Sequence, residues 1–334
     1  MSTMRAVQVA EYGDPERMAM VEVPIPEPGQ GEVLVRIARA GINFIDVYLR
    51  KGVYRNSHTY ANTPPFTLGM EGAGTVAALG PGVESVRVGE RVAYCLSLGG
   101  YAEYAVVPAW RLVTVPETVD WGMAATLMLQ GCTAHYLTHS LFPLGPGHTC
   151  LVHAGAGGVG QLLIQLARRR GARVIATVGN EEKAAIARSL GADLAILYND
   201  VDFVEAVHEA TEGHGVDVAY DSVGQATFSR SLKCLKRRGV CALFGGASGA
   251  VKSVNPLDLA EAGSVFLTRP HLADYLADAD EIRGRAADLF DLAGDGRLKV
   301  TIDREFPLAE ATRAHQAIEG RETRGKLLLK TDAE

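Results

Sequence analysis

A glycine-rich turn near the middle of the chain constrains the fold more than any other feature of the sequence. Gly155, Gly157 and Gly160 have the spacing GxGxxG, and they lie between a short apolar stretch, CLVHAG, and an amphipathic pattern over Gly158–Arg170. Such a turn lets a pyrophosphate approach the backbone at a helix N terminus, where free N–H groups and the helix dipole favour negative charge. The sequence therefore predicts a strand, a turn and a helix that bind a nicotinamide dinucleotide. The alternative is a glycine-rich loop that binds nothing.

The residues after this turn continue as a regular alternation of strands and helices. Amphipathic patterns predict helices over Glu181–Leu190, Phe203–Glu212 and Ala226–Lys236. They separate short, mostly apolar strands, which are RVIATVG, LAILY, VDVAYDSVG, VCALFGG and SVFLTRP. Strands that are apolar on both faces and alternate with helices are typical of a parallel sheet covered on both sides. The predicted fold class is α/β with a doubly wound parallel sheet.

The regions that flank this series have other patterns. The first 115 or so residues are predicted to be β-rich, with strands at Met4–Ala10, Glu32–Ala38 and Gly74–Leu79 and one helix over Phe44–Arg50. A helical pattern covers Gly122–His139. The tail predicts helices and strands at Asp280–Ala293, Lys299–Ile302, Leu308–Glu319 and the final LLLK. Because the tail does not continue the βαβ series of the parallel sheet, we expect it to pack on the first region.

Length and charge exclude several classes of function. A chain of 334 residues usually fills more than one hydrophobic core, so two domains are expected. The net charge of −6 and the isoelectric point near 5.9 argue against a surface for nucleic acid or anionic membrane. No apolar run reaches the roughly 18 residues of a transmembrane helix, and the first residues lack a signal peptide's apolar stretch, so we expect a cytoplasmic protein.

The five cysteines have no spacing that suggests a disulfide or a metal site. We expect them to be reduced and buried; they are Cys95, Cys132, Cys150, Cys234 and Cys241.

The strand after the glycine turn indicates which cofactor is preferred. Sites that prefer NAD place an acidic residue at the end of this strand to bind the ribose hydroxyls, and here that position is Gly179. Lys183 follows four residues later, within reach of a 2′-phosphate. A solvated helix lysine is the alternative for Lys183. The missing acid and this lysine together predict NADPH.

Taken together, the motifs of this chain resemble the medium-chain dehydrogenase/reductase superfamily, and within it the zinc-free quinone oxidoreductases. The motifs are GINFIDVYLRKGVY, GMEGAGTV, GPGVESVRVGERV, QGCTAHYL, VHAGAGGVG, YDSVG, LTRP and GRETRGKLLL. The resemblance implies a GroES-like catalytic domain of residues 1–127 and 271–334 that encloses a Rossmann domain of residues 128–270. It also implies a homodimer joined through the apolar edge strand Ser264–Pro270.

Zinc-dependent relatives carry metal ligands at two positions where this chain differs. It has Asn43 where they have a cysteine and Met70 where they have a histidine. Catalytic zinc needs three protein ligands, and Glu71 alone does not make a site. His135 and His139 are spaced one helical turn apart, and we interpret them as incidental helix residues. The sequence predicts that no metal is bound.

The resemblance also implies roles for individual residues. Those expected to line the substrate cleft are Asn43, Asp46 and Tyr54, with Phe44 to Tyr48 beside the cofactor and the nicotinamide. Thr133 and Tyr136 are expected on the nicotinamide side, and Gly158 and Val159 beneath the pyrophosphate. The 2′-phosphate is assigned to Gly179, Lys183, Tyr198 and Arg321. The ribose and carboxamide end is assigned to Val223, Phe244, Gly245, Gly246, Ser248, Pro270, His271 and Leu272.

The resemblance implies reduction of quinones by hydride transfer from the nicotinamide. A quinone needs little polarisation, so positioning supplies most of the catalysis, and no dedicated acid is predicted. Tyr48, Tyr54 and Thr133 are the hydroxyls that could supply a proton. Two alternatives stay open, a reductase of activated alkenes such as enals or enones, and a non-catalytic, crystallin-like dinucleotide-binding protein. The acceptor's identity depends most on the segment Tyr54–Phe66.

Overall fold

A computed structural model describes residues 2–320 and 322–331, and the chain forms two compact units. The first unit contains Met1–Cys132 and Leu276–Glu334, and the second contains Thr133–Tyr275. The division therefore falls after residues 132 and 275, where the sequence suggested 127 and 270. Among the described residues, none of the helices is both long enough and apolar enough to cross a bilayer.

The strands and helices follow one another in three stretches. The first stretch contains β1 (Thr3–Val9), β2 (Met18–Pro24), β3 (Glu32–Ile42), α1 (Phe44–Arg50), β4 (Phe66–Thr67), β5 (Glu71–Leu79), β6 (Arg91–Cys95), β7 (Tyr104–Pro108), β8 (Val113–Thr114), α2 (Trp121–Thr126) and α3 (Cys132–Tyr136). The second contains β9 (Thr149–Val152), α4 (Gly158–Arg169), β10 (Arg173–Val178), α5 (Glu181–Ser189), β11 (Leu194–Leu197), α6 (Phe203–Ala210), β12 (Val216–Asp221), α7 (Phe228–Lys233), β13 (Leu235–Leu243), α8 (Pro256–Glu261) and β14 (Phe266–Thr268). The third contains α9 (Ala279–Gly294), β15 (Ile302–Pro307), α10 (Ala311–Glu319) and β16 (Lys326–Lys330).

The second unit is built on a six-stranded sheet with the order β11-β10-β9-β12-β13-β14, and every pair is parallel. The strand order runs in opposite directions on the two sides of β9 and β12, which is the doubly wound arrangement. Every residue of β12 is buried, as expected for a strand covered on both faces. Helix α4 buries Leu162, Leu163 and Ile164. The predicted fold class is confirmed.

The first unit contains two sheets. A seven-stranded sheet has the order β15-β16-β3-β5-β6-β8, with β7 also paired to β3, and a three-stranded sheet has the order β2-β1-β4. Strand β16 from the tail pairs antiparallel with the end of β3, which brings Leu328 opposite Gly41. Residues far apart in sequence therefore meet next to the N terminus of α1.

The helical run from Trp121 to Leu141 is irregular at two places. Between α2 and α3 the segment Leu127–Gly131 is π-helical, and Leu137–Leu141 after α3 is π-helical as well. Such segments change which backbone groups are paired and are frequent at functional sites. The first of them supplies a backbone donor to the polar cluster described below.

The predicted elements differ from the structure in the bounds of one helix and two strands. The predicted helix Ala226–Lys236 extends only over Phe228–Lys233, because Leu235 already pairs with Val216 in the sheet. The strand predicted near Lys299–Ile302 was wrong in position, since β15 begins at Ile302. Strand β14 is shorter than the predicted Ser264–Pro270, and Ser264 has a left-handed φ of 55°.

Candidate functional site

The glycines of the predicted turn allow two close approaches between backbone segments. A Cβ on Gly160 would lie 2.2 Å from the carbonyl oxygen of Ala154, and a Cβ on Gly155 would lie 2.8 Å from the Cβ of Ala176. Both distances are shorter than side chains tolerate, so these glycines let α4 and β10 pack against the turn. Gly157 differs, since its Cβ would meet only the Ala154 carbonyl oxygen at 3.2 Å.

The N terminus of α4 is arranged for an anion. Gly157 is the N-cap residue, no described side chain caps this helix, and its first turn contains no acidic residue. Helices α5 and α6, by contrast, are capped by Asn180 and Asp202. The first N–H groups of a helix have no intrahelical partner and attract negative charge. Gly157 and the following Gly158 and Val159 are half-buried, so a bound pyrophosphate could reach these groups.

The residues assigned to a 2′-phosphate lie at the ends of two neighbouring strands. A Cβ on Gly179, after β10, would lie 3.1 Å from the hydroxyl of Tyr198, after β11, and Tyr198 is exposed. Lys183 is in the first turn of α5 and is half-buried. These three residues are therefore on one edge of the second unit. Arg321, the fourth residue assigned to this group, lies outside the described residues.

The loop after β12 and the loop after β13 are joined by hydrogen bonds. The Ser248 hydroxyl donates to the Val223 carbonyl oxygen at 2.7 Å, and the Ser248 N–H donates to the same oxygen at 2.8 Å. Phe244, Gly245 and Gly246 are all half-buried. Packing in the core was the alternative for Val223 and Phe244, but both residues keep surface that a ligand could contact.

The other residues of the second unit that are assigned to the cofactor lie near the first and the last residues of that unit. Thr133 and Tyr136 are buried in α3, and the Tyr136 ring stacks on Tyr275 with ring centroids 4.2 Å apart. Pro270, His271 and Leu272 follow β14, and Leu272 begins a short 3-10 helix.

A buried polar network beneath the turn was missed by the sequence analysis. His153, just before the turn, has its Nδ1 2.9 Å from the Thr177 hydroxyl and its Nε2 3.0 Å from the Ser231 hydroxyl. Ser231 in turn donates to Asp221 at 2.7 Å. The single hydrogen of Ser231 is used on the carboxylate, so His153 must donate from Nε2 and accept from Thr177 at Nδ1. Burial lowers the pKa of His153, which keeps this neutral tautomer.

Asp221 connects this network to the loop after β12. Its Oδ1 accepts from the N–H groups of Val223 and Gly224, each at 2.9 Å, and from the Thr227 hydroxyl at 2.8 Å. The network thus links three segments assigned to the cofactor, namely the glycine turn, the end of β10 and the Val223 loop. The sequence signal that could have found it is a histidine within the apolar strand CLVHAG.

In the first unit, Asn43 and Asp46 fix the start of α1. Asn43 is the N-cap residue, and its N–H donates to Asp46 Oδ2 at 2.8 Å. Asp46 Oδ1 accepts from the Met70 N–H at 3.1 Å. Burial raises the pKa of Asp46 to about 7, against the effect of these backbone donors. Both residues predicted for the cleft are therefore held in place by backbone hydrogen bonds.

Behind Asn43 lies a buried ion pair that the sequence analysis did not anticipate. Lys326 Nζ contacts Glu71 Oε2, and neither side chain has any exposed surface. Glu71 also accepts from Asn43 Nδ2 at 2.8 Å and from the Leu129 N–H, in the π-helical segment, at 2.6 Å. Burial raises the pKa of Glu71, whereas Lys326 and these donors oppose the shift. Lys326 donates to Asn43 Oδ1 at 2.8 Å, which completes the cluster.

Gly41 makes room for this ion pair. A Cβ at Gly41 would lie 1.9 Å from Glu71 Oε2 and 2.7 Å from Lys326 Nζ. The motif GINF therefore contains Gly41, which leaves room for the side chains of Glu71 and Lys326, and Asn43, which forms hydrogen bonds with both. The sequence signal for Lys326 was a lysine directly before three consecutive leucines in the strand KLLLK.

Aromatic rings extend from α1 into the segment Tyr54–Phe66. The ring centroids of Phe44 and Tyr48 are 6.1 Å apart, those of Tyr48 and Tyr54 are 5.8 Å apart, and those of Tyr54 and Tyr60 are 5.3 Å apart. The first three rings are half-buried, and Tyr60 is buried. The structure therefore brings the predicted Phe44, Tyr48 and Tyr54 together and adds Tyr60 to them.

Histidine, cysteine and carboxylate side chains are the groups that could bind a metal or react as nucleophiles. Within residues 2–320 and 322–331, histidine, cysteine and carboxylate side chains form no group of three that could hold a metal ion. The rings of His135 and His139 stack with centroids 4.0 Å apart. All five cysteines are free and buried, and burial raises the pKa of each thiol.

Comparison with known proteins identifies the family. The model described as "Zinc-binding dehydrogenase" matches residues 158–277, and the one described as "Alcohol dehydrogenase GroES-like domain" matches residues 29–117. A 2-haloacrylate reductase from Burkholderia sp. is 42% identical, with 97% of this chain and 98% of that protein covered. A quinone oxidoreductase from Pseudomonas aeruginosa is 41% identical, with 97% and 99% covered.

Solved structures agree with this result. The native structure of a mycobacterial protein complexed with NADPH has a TM-score of 0.94 and 44% identity, with 98% of this chain and 100% of that chain covered. The chain belongs to the medium-chain dehydrogenase/reductase superfamily, and within it to the quinone oxidoreductases. The resemblance that the motifs indicated is confirmed.

Proposed function

We propose that this protein is an NADPH-dependent oxidoreductase that reduces quinones. The observation that carries the proposal is the uncapped N terminus of α4 behind the turn Gly155–Gly160, in a chain that belongs to the quinone oxidoreductases. A mycobacterial relative that is 44% identical was solved with NADPH, which supports the same cofactor here. Bound NADPH supplies a hydride, and the protein supplies its binding and orientation.

The preference for NADPH rests on the edge that contains Gly179, Lys183 and Tyr198. No carboxylate occupies position 179, so nothing there repels a 2′-phosphate, and Lys183 provides a positive charge in the first turn of α5. We assign the 2′-phosphate to this edge. Gly157, Gly158 and Val159 bind the pyrophosphate, and the half-buried Val223 and Phe244 contact the nicotinamide end.

A cofactor titration tests this assignment. Lys183→Ala should raise the KM for NADPH about tenfold and leave the KM for NADH unchanged, because a hydrogen bond to a charged group contributes roughly 1.5 kcal/mol. The measurement is the loss of nicotinamide absorbance with a quinone acceptor, and the exposed Lys233→Ala serves as the control in the same unit. A parent protein that prefers NADH would overturn the cofactor assignment, and NADPH binding without turnover would overturn the enzymatic one.

In the first unit, we assign the acceptor to the side of α1 that carries Asn43, Phe44 and Tyr48, together with Tyr54. The half-buried rings of Phe44, Tyr48 and Tyr54 keep aromatic surface against which a quinone ring can pack. Hydride addition gives an aromatic hydroquinone, so positioning supplies most of the rate enhancement. Water or a hydroxyl of Tyr48 or Tyr54 delivers the proton.

Reduction of activated alkenes is a second candidate function. The relative from Burkholderia sp. that is 42% identical is named for 2-haloacrylate, an electron-poor alkene. The hydride geometry is the same for both classes of acceptor, so the shape of the cleft decides between them. A panel of quinones, enals, enones and haloacrylates, scored by kcat/KM with NADPH, separates the two functions.

We also propose that two copies associate through β14, and that the protein works in the cytoplasm. Phe266 in β14 is 62% exposed, and the neighbouring Leu257 is 68% exposed. The five unpaired thiols suit a reducing compartment.

A further inference from the structure

The amide of Asn43 is held in one orientation by two buried charges. Lys326 Nζ has only hydrogens to offer, so it must face the amide oxygen, and it lies 2.8 Å from Asn43 Oδ1. The Glu71 carboxylate is able only to accept, so it must face the amide nitrogen, and it lies 2.8 Å from Asn43 Nδ2. Exchange of the amide oxygen and nitrogen would place a cation against NH2 and a carboxylate against C=O. The chemistry of the two partners therefore fixes the amide.

Of the three side chains in this cluster, only that of Asn43 keeps any exposed surface. Lys326 and Glu71 have no exposed surface, whereas Asn43 keeps 3% of its own. Asn43 Nδ2 carries two hydrogens, one of which is donated to Glu71. Among the described residues, no group accepts the second hydrogen. It is the donor of the cluster that remains for a ligand.

On the basis of the proposed function, we propose that Asn43 donates this second hydrogen to the oxygen of the acceptor, and that Lys326 and Glu71 are positioning residues for it. The acceptor's oxygen becomes more negative as two electrons and one hydrogen arrive as hydride. A C–H bond forms at the β-carbon of the acceptor's conjugated C=C–C=O system as the C–H bond at the nicotinamide of bound NADPH breaks, which leaves NADP⁺. The π electrons shift through this system to the carbonyl oxygen, a proton from water then gives the enol, and a proton shift turns the enol into the hydroquinone or the saturated carbonyl product. A donor that is already oriented needs no rearrangement as this charge develops, which lowers the barrier.

Folding orders the Asn43 amide before any ligand binds, so ligand binding need not supply the conformational entropy for it. A buried ion pair with incomplete hydrogen bonding destabilises a protein, but here Glu71 accepts three donors and Lys326 donates to two acceptors. The backbone of β3 packs directly against both charges, because a Cβ at Gly41 would lie 1.9 Å from Glu71 Oε2. The amide is therefore held by partners that are themselves buried.

Asn43→Ala, which removes the donor and keeps the ion pair, tests the proposal. We expect kcat/KM to fall on the order of 10- to 100-fold for weak acceptors such as enones and low-potential quinones, in line with the loss of one oriented donor. For the strongest quinones the loss should be small, because their reduction needs little stabilisation. A plot of log kcat/KM against acceptor potential should therefore become steeper, with the dissociation constant for NADPH unchanged.

Asp120→Ala is the matched control, since Asp120 caps α2 in the same unit by accepting from the Met123 N–H. It removes a helix cap without touching the cluster, so the slope of the plot should stay that of the parent. The double variant Lys326→Met/Glu71→Gln should reproduce the steeper slope in part, because the amide keeps its hydrogen but loses its fixed orientation.

A vibrational measurement adds a readout that a structural role would not change. The carbonyl stretch of a bound, unreactive quinone analogue should shift to lower frequency in the parent protein and return toward its solution value in Asn43→Ala. Equal losses for all acceptors, or an unshifted carbonyl in the parent, would overturn the proposal. A parent protein that reduces neither quinones nor enones would instead overturn the proposed function.

Discussion

His315 is a buried histidine placed among positive charges. Its Nε2 lies 3.1 Å from the Tyr101 hydroxyl, and its ring meets the Tyr101 ring edge to face, with centroids 5.8 Å apart. Burial, with smaller contributions from Arg50 and Lys51, lowers the pKa of His315 to about 3. The unfolded chain protonates this residue below its ordinary pKa of about 6.5, whereas the folded protein does not. Its contribution therefore lowers the free energy of unfolding as the pH falls from 6.5 toward 3.

His315→Gln removes this titration and keeps a side-chain amide that can hydrogen-bond to the Tyr101 hydroxyl. We expect the variant to be less stable than the parent at pH 7, and the difference to shrink by up to about 1.4 kcal/mol per pH unit below pH 6.5. Urea unfolding at several values between pH 4.5 and 7.5 measures it. His58→Gln, at an exposed position of the same unit, is the control. A difference that does not change with pH would show that the folded protein protonates His315.

At the scale of elements, the network of His153, Ser231 and Asp221 joins the ends of β9, β10 and β12 under the cofactor turn. All three side chains are buried, and each hydrogen bond in the network has a defined donor. Loss of the His153 ring leaves the Ser231 and Thr177 hydroxyls with fewer partners in a place that water does not reach. The segments above the network would then no longer be held in the geometry that binds NADPH.

His153→Leu is accordingly expected to weaken NADPH binding by about tenfold, the equivalent of one lost buried hydrogen-bond partner of roughly 1.4 kcal/mol. His153→Gln should recover most of the affinity, because an amide oxygen can accept from Thr177 and an amide nitrogen can donate to Ser231. The quenching of protein fluorescence by NADPH measures the dissociation constant. Equal affinities for the leucine and glutamine variants would contradict the role of the network, whatever their melting temperatures.

The sequence predicted those elements and parts of the candidate site that are formed by residues close together along the chain. The glycine turn and α4 follow from residues within one strand–turn–helix unit, and α1 was predicted over Phe44–Arg50 as found. The Asn43 partners could not be predicted, because Lys326 and Glu71 are 255 residues apart and meet only when β16 pairs with β3. Helix α8 was missed because its six residues are too few to show a helical period, although its Leu257 and Leu259 are apolar.

At the scale of the whole molecule, one surface of the second unit is unusual. Strand β14 is the last strand of the six-stranded sheet, and no described strand pairs with its outer edge. Helix α8 precedes it and buries no residue, although its Leu257 is apolar. Val265, directly before β14, is buried in the core and Leu267 packs against the same cluster, whereas Phe266 between them is 62% exposed. Association with another copy of the chain would cover both the exposed Leu257 of α8 and the unpaired edge of β14.

Phe266→Lys should therefore convert a dimer into a monomer without unfolding the protein, because Phe266 is 62% exposed and a charge at a strand edge opposes pairing. Light scattering after gel filtration should give the parent a mass about twice the chain's 35.6 kDa and give the variant the mass of one chain. Val88→Lys is a matched control, since Val88 is 63% exposed but belongs to the first unit. It should remain dimeric. A monomeric parent, or a dimeric Phe266→Lys, would show that β14 does not join two copies.

Since Asn43 and the glycine turn do not involve this edge, kcat/KM for quinones should be the same in the Phe266→Lys monomer and the parent.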